Sequence, residues 1–395
     1  MKIGIALVAF GLIGGVGVAP QDTTPSQVHI SYGEDPTRMM RVMWQTASPT
    51  GTRTVEYGET KELGMVAPGI QPTYPYQTGA ICEATLYNLK PKTKYFYRVG
   101  SKEGGFSPVR EFMTAEPDPK EFVFTAYGDH GVSSDAAKNV ENVLFEKPAF
   151  HLMLGDISYA NGDQPIWDKY LQQIEPMTSV IPYMLTLGNH ENEDIKIDGA
   201  STKIGYMSTL ARFAMPGAEN WYTFDYGCAR FVSINSDAYK APGHLEWLDA
   251  TLATARKDPS VKWIVVMQHH PVYGTSKGRG DNQGLIDNVA PIYDKYKVDL
   301  VLQGHDHHYE RQYPMRSNAI ASKDKSKYKK GVGTLYVIEG GGGRPMYDFS
   351  DPMPEKCALR EKTNGYLRVK VTKKSISLEA KRLDRSLIEK YEISE

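Results

Sequence analysis

Gly304-His305-Asp306-His307-His308 puts two imidazoles at i and i+2, directly after the apolar stretch Val298-Asp299-Leu300-Val301-Leu302-Gln303. Along a continuing strand alternate side chains share a face, but where the strand stops they can splay around a small object. Histidine is the commonest metal ligand, so a metal pair is the natural candidate. Taken alone, the motif reads equally well as surface histidines in a turn. Four more apolar runs ending in polar motifs decide against that: Gly128-Asp129-His130-Gly131, Gly155-Asp156-Ile157-Ser158-Tyr159, Gly188-Asn189-His190-Glu191 and Gln268-His269-His270-Pro271. Two ions about 3.5–4 Å apart need a bridging carboxylate and terminal ligands on each side. Asp129, Asp156, Tyr159, Asn189, His269, His305 and His307 supply three ligands per ion and one to share. Asp156 is the best bridge because a carboxylate offers two oxygens. Tyr159 lies three residues further along the same turn and can face the same ion.

These motifs need a scaffold that brings strand ends together. Phe122-Val123-Phe124-Thr125-Ala126-Tyr127, Phe150-His151-Leu152-Met153-Leu154, Pro182-Tyr183-Met184-Leu185-Thr186-Leu187 and Trp263-Ile264-Val265-Val266-Met267 are continuous apolar runs, as expected of strands buried on both faces. A helix capped by Ser134 and running to about Lys147 separates the first two. Ligands gather at the carboxyl ends of strands in such sheets, so the five motifs are expected to converge. Thr334 to Glu339 and Tyr366 to Val371 add two more strands. The glycine run from Gly340 to Gly343 between them permits either close backbone approach or a mobile loop. Lys323 to Lys330 reads as a basic, solvated loop. The region from Ser26 to about Thr114 differs: short alternating segments separated by turn residues indicate a small all-β sandwich. Ala115-Glu116-Pro117-Asp118-Pro119 closes it. It holds no metal-type cluster and is assigned a packing or partner role.

At 395 residues the chain is long enough for two domains, and a formal charge of −1 without a basic block argues against nucleic acid as a partner. Cys82, Cys228 and Cys357 are too few for a disulfide scaffold and fit no zinc spacing. Met1-Lys2, an apolar run from Ile3 to Val18 and the exit Val18-Ala19-Pro20 read as a secretory signal over 1–20, with a single-span anchor as the alternative. No later run is long enough to span, and no Asn-x-Ser/Thr acceptor occurs.

The five blocks, in this order and followed by Tyr309-Glu310-Arg311, resemble the metallophosphoesterase superfamily, and within it the purple acid phosphatases. Ala84 to Val99, with Leu89-Lys90-Pro91-Lys92-Thr93-Lys94-Tyr95-Phe96-Tyr97-Arg98-Val99, is similar to a corner of fibronectin type III modules, which many members carry. The resemblance implies a fibronectin III-like β-sandwich over 26–115 and an α/β four-layer (αββα) catalytic domain over 120–395. It also implies an acid phosphatase that hydrolyses phosphate monoesters with a binuclear Fe(III)–M(II) centre and a metal-activated hydroxide. Ordinary relatives have histidine where Gly131 stands and aspartate where Tyr159 stands; a phenolate there suits ferric iron and gives the family its colour. On the resemblance, ferric iron takes Asp129, Asp156, Tyr159 and His307, and iron, zinc or manganese takes Asp156, Asn189, His269 and His305.

His190 is the candidate general acid, and with Asn189 the candidate substrate-binding pair. His130 should point elsewhere, and His270 and His308 flank ligands as orienting groups. Plant members carry further histidines after the His269 block; Lys277 and Arg279, in a loop here, are either phosphate binders or solvated. The implied partner is a small-molecule phosphate ester or phosphoprotein, with no membrane span in the mature chain, secreted or lysosomal location and oligomeric state left open. The alternatives are a phosphodiesterase or nucleotide pyrophosphatase on the same site, and a non-catalytic adhesion protein suggested by Arg279-Gly280-Asp281.

Overall fold

The computed structural model describes residues 23–74, 77–197 and 199–395. The expected leader over 1–20 lies outside them. β1 (Ser26–Tyr32), β2 (Met40–Thr46), β3 (Thr54–Gly58), β4 (Met65–Pro68), β5 (Ala80–Leu86), β6 (Lys94–Ser101), β7 (Gly105–Phe106) and β8 (Arg110–Met113) form the N-terminal sandwich. One sheet has the order β1-β2-β5; the other runs β4-β3-β6-β7, with β8 also on β6. Inward residues alternate along β6, where Tyr95, Tyr97 and Val99 are buried. β4 and β5 were not expected from sequence. β5 carries Glu83 and two alanines, weak strand formers, and becomes a strand because Cys82, Ala84 and Leu86 are buried in the sandwich core while Ile81 packs with Met43, Tyr74 and Ala214 on the other face.

The second unit begins with β9 (Glu121–Tyr127), α1 (Ser134–Glu146), β10 (Phe150–Met153), α2 (Gln164–Thr178) and β11 (Tyr183–Leu185). Ser133 rather than Ser134 caps α1: its Oγ accepts the Ala136 N–H and donates to Gly343 O. A hairpin of β12 (Glu193–Ile197) and β13 (Ala200–Gly205), then α3 (Met207–Arg212), lead to β14 (Tyr222–Tyr226), β15 (Ala229–Ser233), α4 (His244–Lys257), β16 (Trp263–Met267), α5 (Gln283–Asn288), α6 (Ala290–Lys295) and β17 (Leu300–Gln303). The chain ends with β18 (Tyr309–Gln312), β19 (Met315–Arg316), β20 (Ala319–Ile320), β21 (Lys327–Lys329), β22 (Leu335–Glu339), β23 (Cys357–Glu361), β24 (Gly365–Thr372), β25 (Ser375–Arg382) and β26 (Leu387–Ser394).

Two seven-stranded sheets result, ordered β11-β10-β9-β24-β25-β26-β21 and β14-β15-β16-β17-β22-β18-β23. They face each other. Phe231 of the second sheet meets Phe124 and Phe150 of the first edge-on, at 5.3 and 5.1 Å between ring centroids. Along β16, Val265 and Met267 enter this inter-sheet core, while Ile264 and Val266 join Leu248, Leu252, Leu285 and Tyr293 beneath α4, α5 and α6. Helix, sheet, sheet and helix make four layers, so the central strands are buried on both faces. Among the described residues, no helix is long and apolar enough to cross a membrane. The three cysteines are unpaired and buried.

Lys323 to Lys330 is not wholly loop. Lys327–Lys329 is the edge strand β21, parallel to β26, with Tyr328 buried between two exposed lysines. A short, charged edge strand of this kind resists further pairing.

The N-terminal sandwich docks on α2. Trp167, Tyr170, Leu171, Ile174 and Met177 recur at helical spacing and are buried. On another side of the helix Glu175 accepts the Gln27 N–H and the Arg110 guanidinium, and Asp168 accepts the amides of Gln27 and Gln45. A second junction gathers Glu34, Glu83 and Glu219 around Arg41, at 3.0, 3.5 and 3.8 Å. Burial, then Glu83, push the Glu219 carboxyl up to about 7 against the pull of Arg41. An acid whose pKa is raised on folding keeps its proton in the folded state after the unfolded chain has lost it. Stability therefore falls as pH rises from about 4.5 to about 7. Glu219→Gln is expected to raise stability by about 1–2 kcal/mol at pH 7.5, allowing for solvent screening, and by little at pH 4.5. Thermal melts of both chains at the two pH values check this; an equal gain at both would refute it.

Candidate metal centre

The parallel strands in each sheet end on the same edge, so the polar turns after β9, β10, β11, β16, β17 and β22 meet there. Main-chain bonds hold the turns together. Gly128 N–H donates to Glu339 O, Asp129 N–H to Gly155 O, His130 N–H to Asp156 O and Gly304 N–H to His269 O. The glycines permit this closeness. A Cβ on Gly155 would lie 2.7 Å from His269 Nδ1, and one on Gly188 would lie 2.3 Å from Asp156 Oδ1. The run from Gly340 to Gly343 serves close approach: Gly342 N–H bonds Gly128 O.

Two groups of side chains form. At one end the Tyr159 hydroxyl donates to Asp129 Oδ1 at 2.9 Å and lies 3.0 Å from His307 Nε2, with His307 Nε2 3.2 Å from Asp129 Oδ1. At the other end, ligand atoms of Asp156, His269 and His305 all lie within 4.8 Å of one another. Asp156 Oδ2 is 3.1 Å from His269 Nε2, and His269 Nε2 is 3.1 Å from His305 Nδ1. The ends touch where Asp129 Oδ2 accepts the His305 N–H at 2.7 Å. Asn189 sits between Gly188 and His190, whose N–H donates to Asp156 Oδ1; its own Oδ1 is buried without a hydrogen-bond partner. Carboxylate, phenol and imidazole donors gathered here, with an orphaned amide oxygen on the adjoining turn, fit a pair of hard or borderline metal ions.

Asp129, Asp156, Tyr159 and His305 all have left-handed backbone, with φ of 59, 50, 56 and 70°. Such geometry costs about 1–2 kcal/mol per residue, and concentration of strain at one place marks a functional site.

The surroundings fix the imidazoles. His269 Nδ1 faces Leu154 O at 2.8 Å and His307 Nδ1 faces Pro345 O at 2.8 Å, leaving each Nε2 to point inward. Burial disfavours charge on His269, yet Asp156 raises its pKa to about 10. Asp156 is held below the usual carboxylate range despite burial, by His269 and then His190. Burial, then Asp129 and Asp156, push the Tyr159 phenol well above its ordinary value. Protons thus occupy positions that cations would take, and metal would displace them.

His190 Nδ1 is 2.5 Å from Asn161 Oδ1, and its Nε2 is 3.8 Å from Asp156 Oδ2. His130 points away, with its ring nitrogens on Gly131 O and Ala136 O. His308 turns inward to Glu310 Oε2 at 3.0 Å, and His270 Nδ1 faces Ser236 Oγ at 3.1 Å. Gly131 leaves room for neighbours: a Cβ there would meet Arg344 Cδ at 3.2 Å and the Tyr159 ring at 3.6 Å.

Glu191, Asn161, Arg344 and Tyr347 were not singled out from sequence. Glu191 carried a signal: it stands three residues after Gly188, the spacing at which a carboxylate reaches back to cap a turn. Arg344 lies over the Tyr159 ring at 4.1 Å and Tyr347 stacks on His307 at 4.0 Å. Neither belongs to a motif that sequence alone would reveal.

Residues 25–114 match the family model for the purple acid phosphatase N-terminal domain, and residues 122–309 that for calcineurin-like phosphoesterases. Purple acid phosphatase 21 of Arabidopsis thaliana is 30% identical over 366 residues, spanning 88% of this chain and 78% of the relative. Acid phosphatase type 7 of Homo sapiens is 29% identical over 414 residues, spanning 93% and 89%. The purple acid phosphatase PPD1 from yellow lupin seeds shares the fold, with a TM-score of 0.84 at 22% identity over 94% of this chain and 74% of that one. The relatedness extends over both units and all five strand-end motifs: this chain belongs to the purple acid phosphatase family and is a metal-binding hydrolase with phosphatase activity.

Proposed function

We propose that the protein hydrolyses phosphate monoesters in acid, using one ferric ion and one divalent iron, zinc or manganese ion. We further propose that it is secreted or lysosomal, in line with the apolar run from Ile3 to Val18. The observation that carries the ferric assignment is the Tyr159 oxygen, seated between Asp129 Oδ1 and His307 Nε2. Asp129, Asp156, Tyr159 and His307 would hold the ferric ion; Asp156, Asn189, His269 and His305 would hold the divalent one. When bound, such a pair neutralises phosphoryl oxygens and lowers the pKa of coordinated water. The chain itself supplies orientation and a proton. Asn161 Oδ1 accepts the His190 Nδ1–H and fixes the ring, so that Nε2 faces the site and, when the ring is protonated in acid, can donate to the leaving oxygen or to a phosphoryl oxygen. The substrate is a small phosphate ester or a phosphoprotein.

The Arg-Gly-Asp tripeptide is part of this site's wall. Arg279 bonds His305 and Tyr347, and Asp281 pairs with Lys356.

Visible absorbance tests the reading. The purified, iron-loaded protein is expected to be purple to pink, and Tyr159→Phe is expected to lose the band while still retaining iron in part. A colourless wild type with iron bound would sink the tyrosinate assignment. Comparison of rates on an aryl phosphate and its diester separates monoesterase from diesterase.

A further inference from the structure

We propose that Arg279 is the side chain that grips the substrate's phosphoryl group, with Tyr347 holding it in place. This rests on the phosphatase reading above and names the cation of that site. Arg279 lines a cleft of about 300 Å³ together with His270, His305 and Asp306. Its guanidinium donates to His305 Nε2 at 2.5 Å and to the Tyr347 hydroxyl at 2.9 Å, and lies 4.4 Å above the Tyr347 ring. Its ion-pair contact, Asp306 Oδ1 at 3.9 Å, is beyond hydrogen-bond reach. The charge is therefore aimed at the site without a carboxylate bonded to it.

The loop is built to aim it. Gly278 and Gly280, on either side, have φ of 78 and 69° and make the turn. Arg279 N–H and Gly280 N–H both bond Ser276 O, while Lys277 N–H bonds Asp348 O and Ser350 N–H bonds Thr275 O. The loop is thus tied to the segment carrying Tyr347. Lys277, the other candidate from sequence, is exposed like Arg279 but does not line the cleft. Arg344 covers the Tyr159 end, so a cation flanks each end of the proposed ion pair.

The present partners of Arg279 are replaceable. In this arrangement Nε2 of His305 accepts the Arg279 N–H, and Nδ1 faces His269 and Asp156. A His305 that gives its Nδ1 lone pair to a metal carries its hydrogen on Nε2 and can no longer accept. The guanidinium is then released beside the cleft. Its planar fork matches two phosphoryl oxygens, a stronger pairing than one with a neutral ring or phenol.

The test compares wild type with Arg279→Ala, Arg279→Lys and Tyr347→Phe, all reconstituted with metal. The readouts are KM and kcat on an aryl phosphate, the inhibition constant of inorganic phosphate, and the rise in melting temperature that phosphate produces. Arg279→Ala should raise KM and the phosphate inhibition constant by about tenfold or more, the size expected for a bond to a charged group, with KM rising more than kcat falls. The phosphate-induced melting shift should shrink in parallel, and added guanidinium ion should restore phosphate binding. Arg279→Lys should fall between, since it keeps charge without the fork, and Tyr347→Phe should show a smaller loss. A coloured, active wild type alongside an Arg279→Ala chain with unchanged phosphate affinity would overturn this assignment alone. A wild type with neither iron band nor hydrolysis would overturn both it and the phosphatase reading.

Discussion

Asp156→Asn is expected to lose most of the bound metal and more than about a hundredfold in phosphatase rate, beyond the ten- to hundredfold typical of losing a group that only orients a ligand. Asp156 is 2% exposed and is the ligand proposed to be shared by both ions. Its Oδ2 lies 3.1 Å from His269 Nε2, and its Oδ1 accepts the His190 N–H at 2.9 Å. An amide offers one oxygen where the carboxylate offers two, so the proposed shared ligand would be lost. It also removes the negative charge that holds His269 protonated in the metal-free chain, so the His269 pKa should drop from about 10. The fold should survive, because the main-chain bonds of Asp156 to Glu191 and His130 do not use its side chain. Metal content by elemental analysis, an aryl-phosphate assay and circular dichroism check the three parts. Full metal and full activity in the variant would remove Asp156 from the bridging position.

Glu191→Gln should be the most damaging substitution of a residue that faces no ligand position. Glu191 is fully buried, and its carboxylate accepts three main-chain N–H groups: Asp156 and Gly188 on Oε2, Ile157 on Oε1, each at 2.8 Å. One side chain thereby ties the turn carrying Asp156 to the turn carrying Asn189 and His190. Burial, then Asp156, push its pKa up, while the three donors favour the ionised form. Glutamine must aim its NH2 at one or more of these N–H donors, whichever way the amide is turned. A buried donor left unmatched costs about 1–3 kcal/mol, more where a charged partner is removed. The expected result is a loss of about 2–4 kcal/mol in stability and weakened metal binding together, read by denaturant unfolding and metal titration. Stability equal to wild type would show that the turn pair does not depend on this carboxylate.

Much of the site was legible because its residues sit at strand exits, and a strand exit can be read locally. An apolar run followed by a polar motif recurs after β9, β10, β11, β16 and β17, and in all but the β16 case the motif opens on glycine. His130 was expected to point away, and it does, because the turn at Asp129 and Gly131 rotates it toward α1. Other features left no local trace. β5 owes its form to β2 beside it and to the sandwich core, and β21 to β26 beside it. Arg344 and Tyr347 reach Tyr159 and His307 from positions 185 and 40 residues away in sequence.

The sequence by itself pointed to the architecture of apolar strands and to seven candidate ligands at their exits, and its resemblance to a family pointed to the phenol of Tyr159. It could do so because strand periodicity, turn glycines and donor type are properties of a few consecutive residues. Only the tertiary structure decided which groups aim those side chains: Glu191 across two turns, Asn161 on His190, and Arg279 rather than Lys277 toward the cleft. These contacts join segments far apart in the chain, and their partners are chosen by how two sheets pack, a choice that no short stretch of sequence contains.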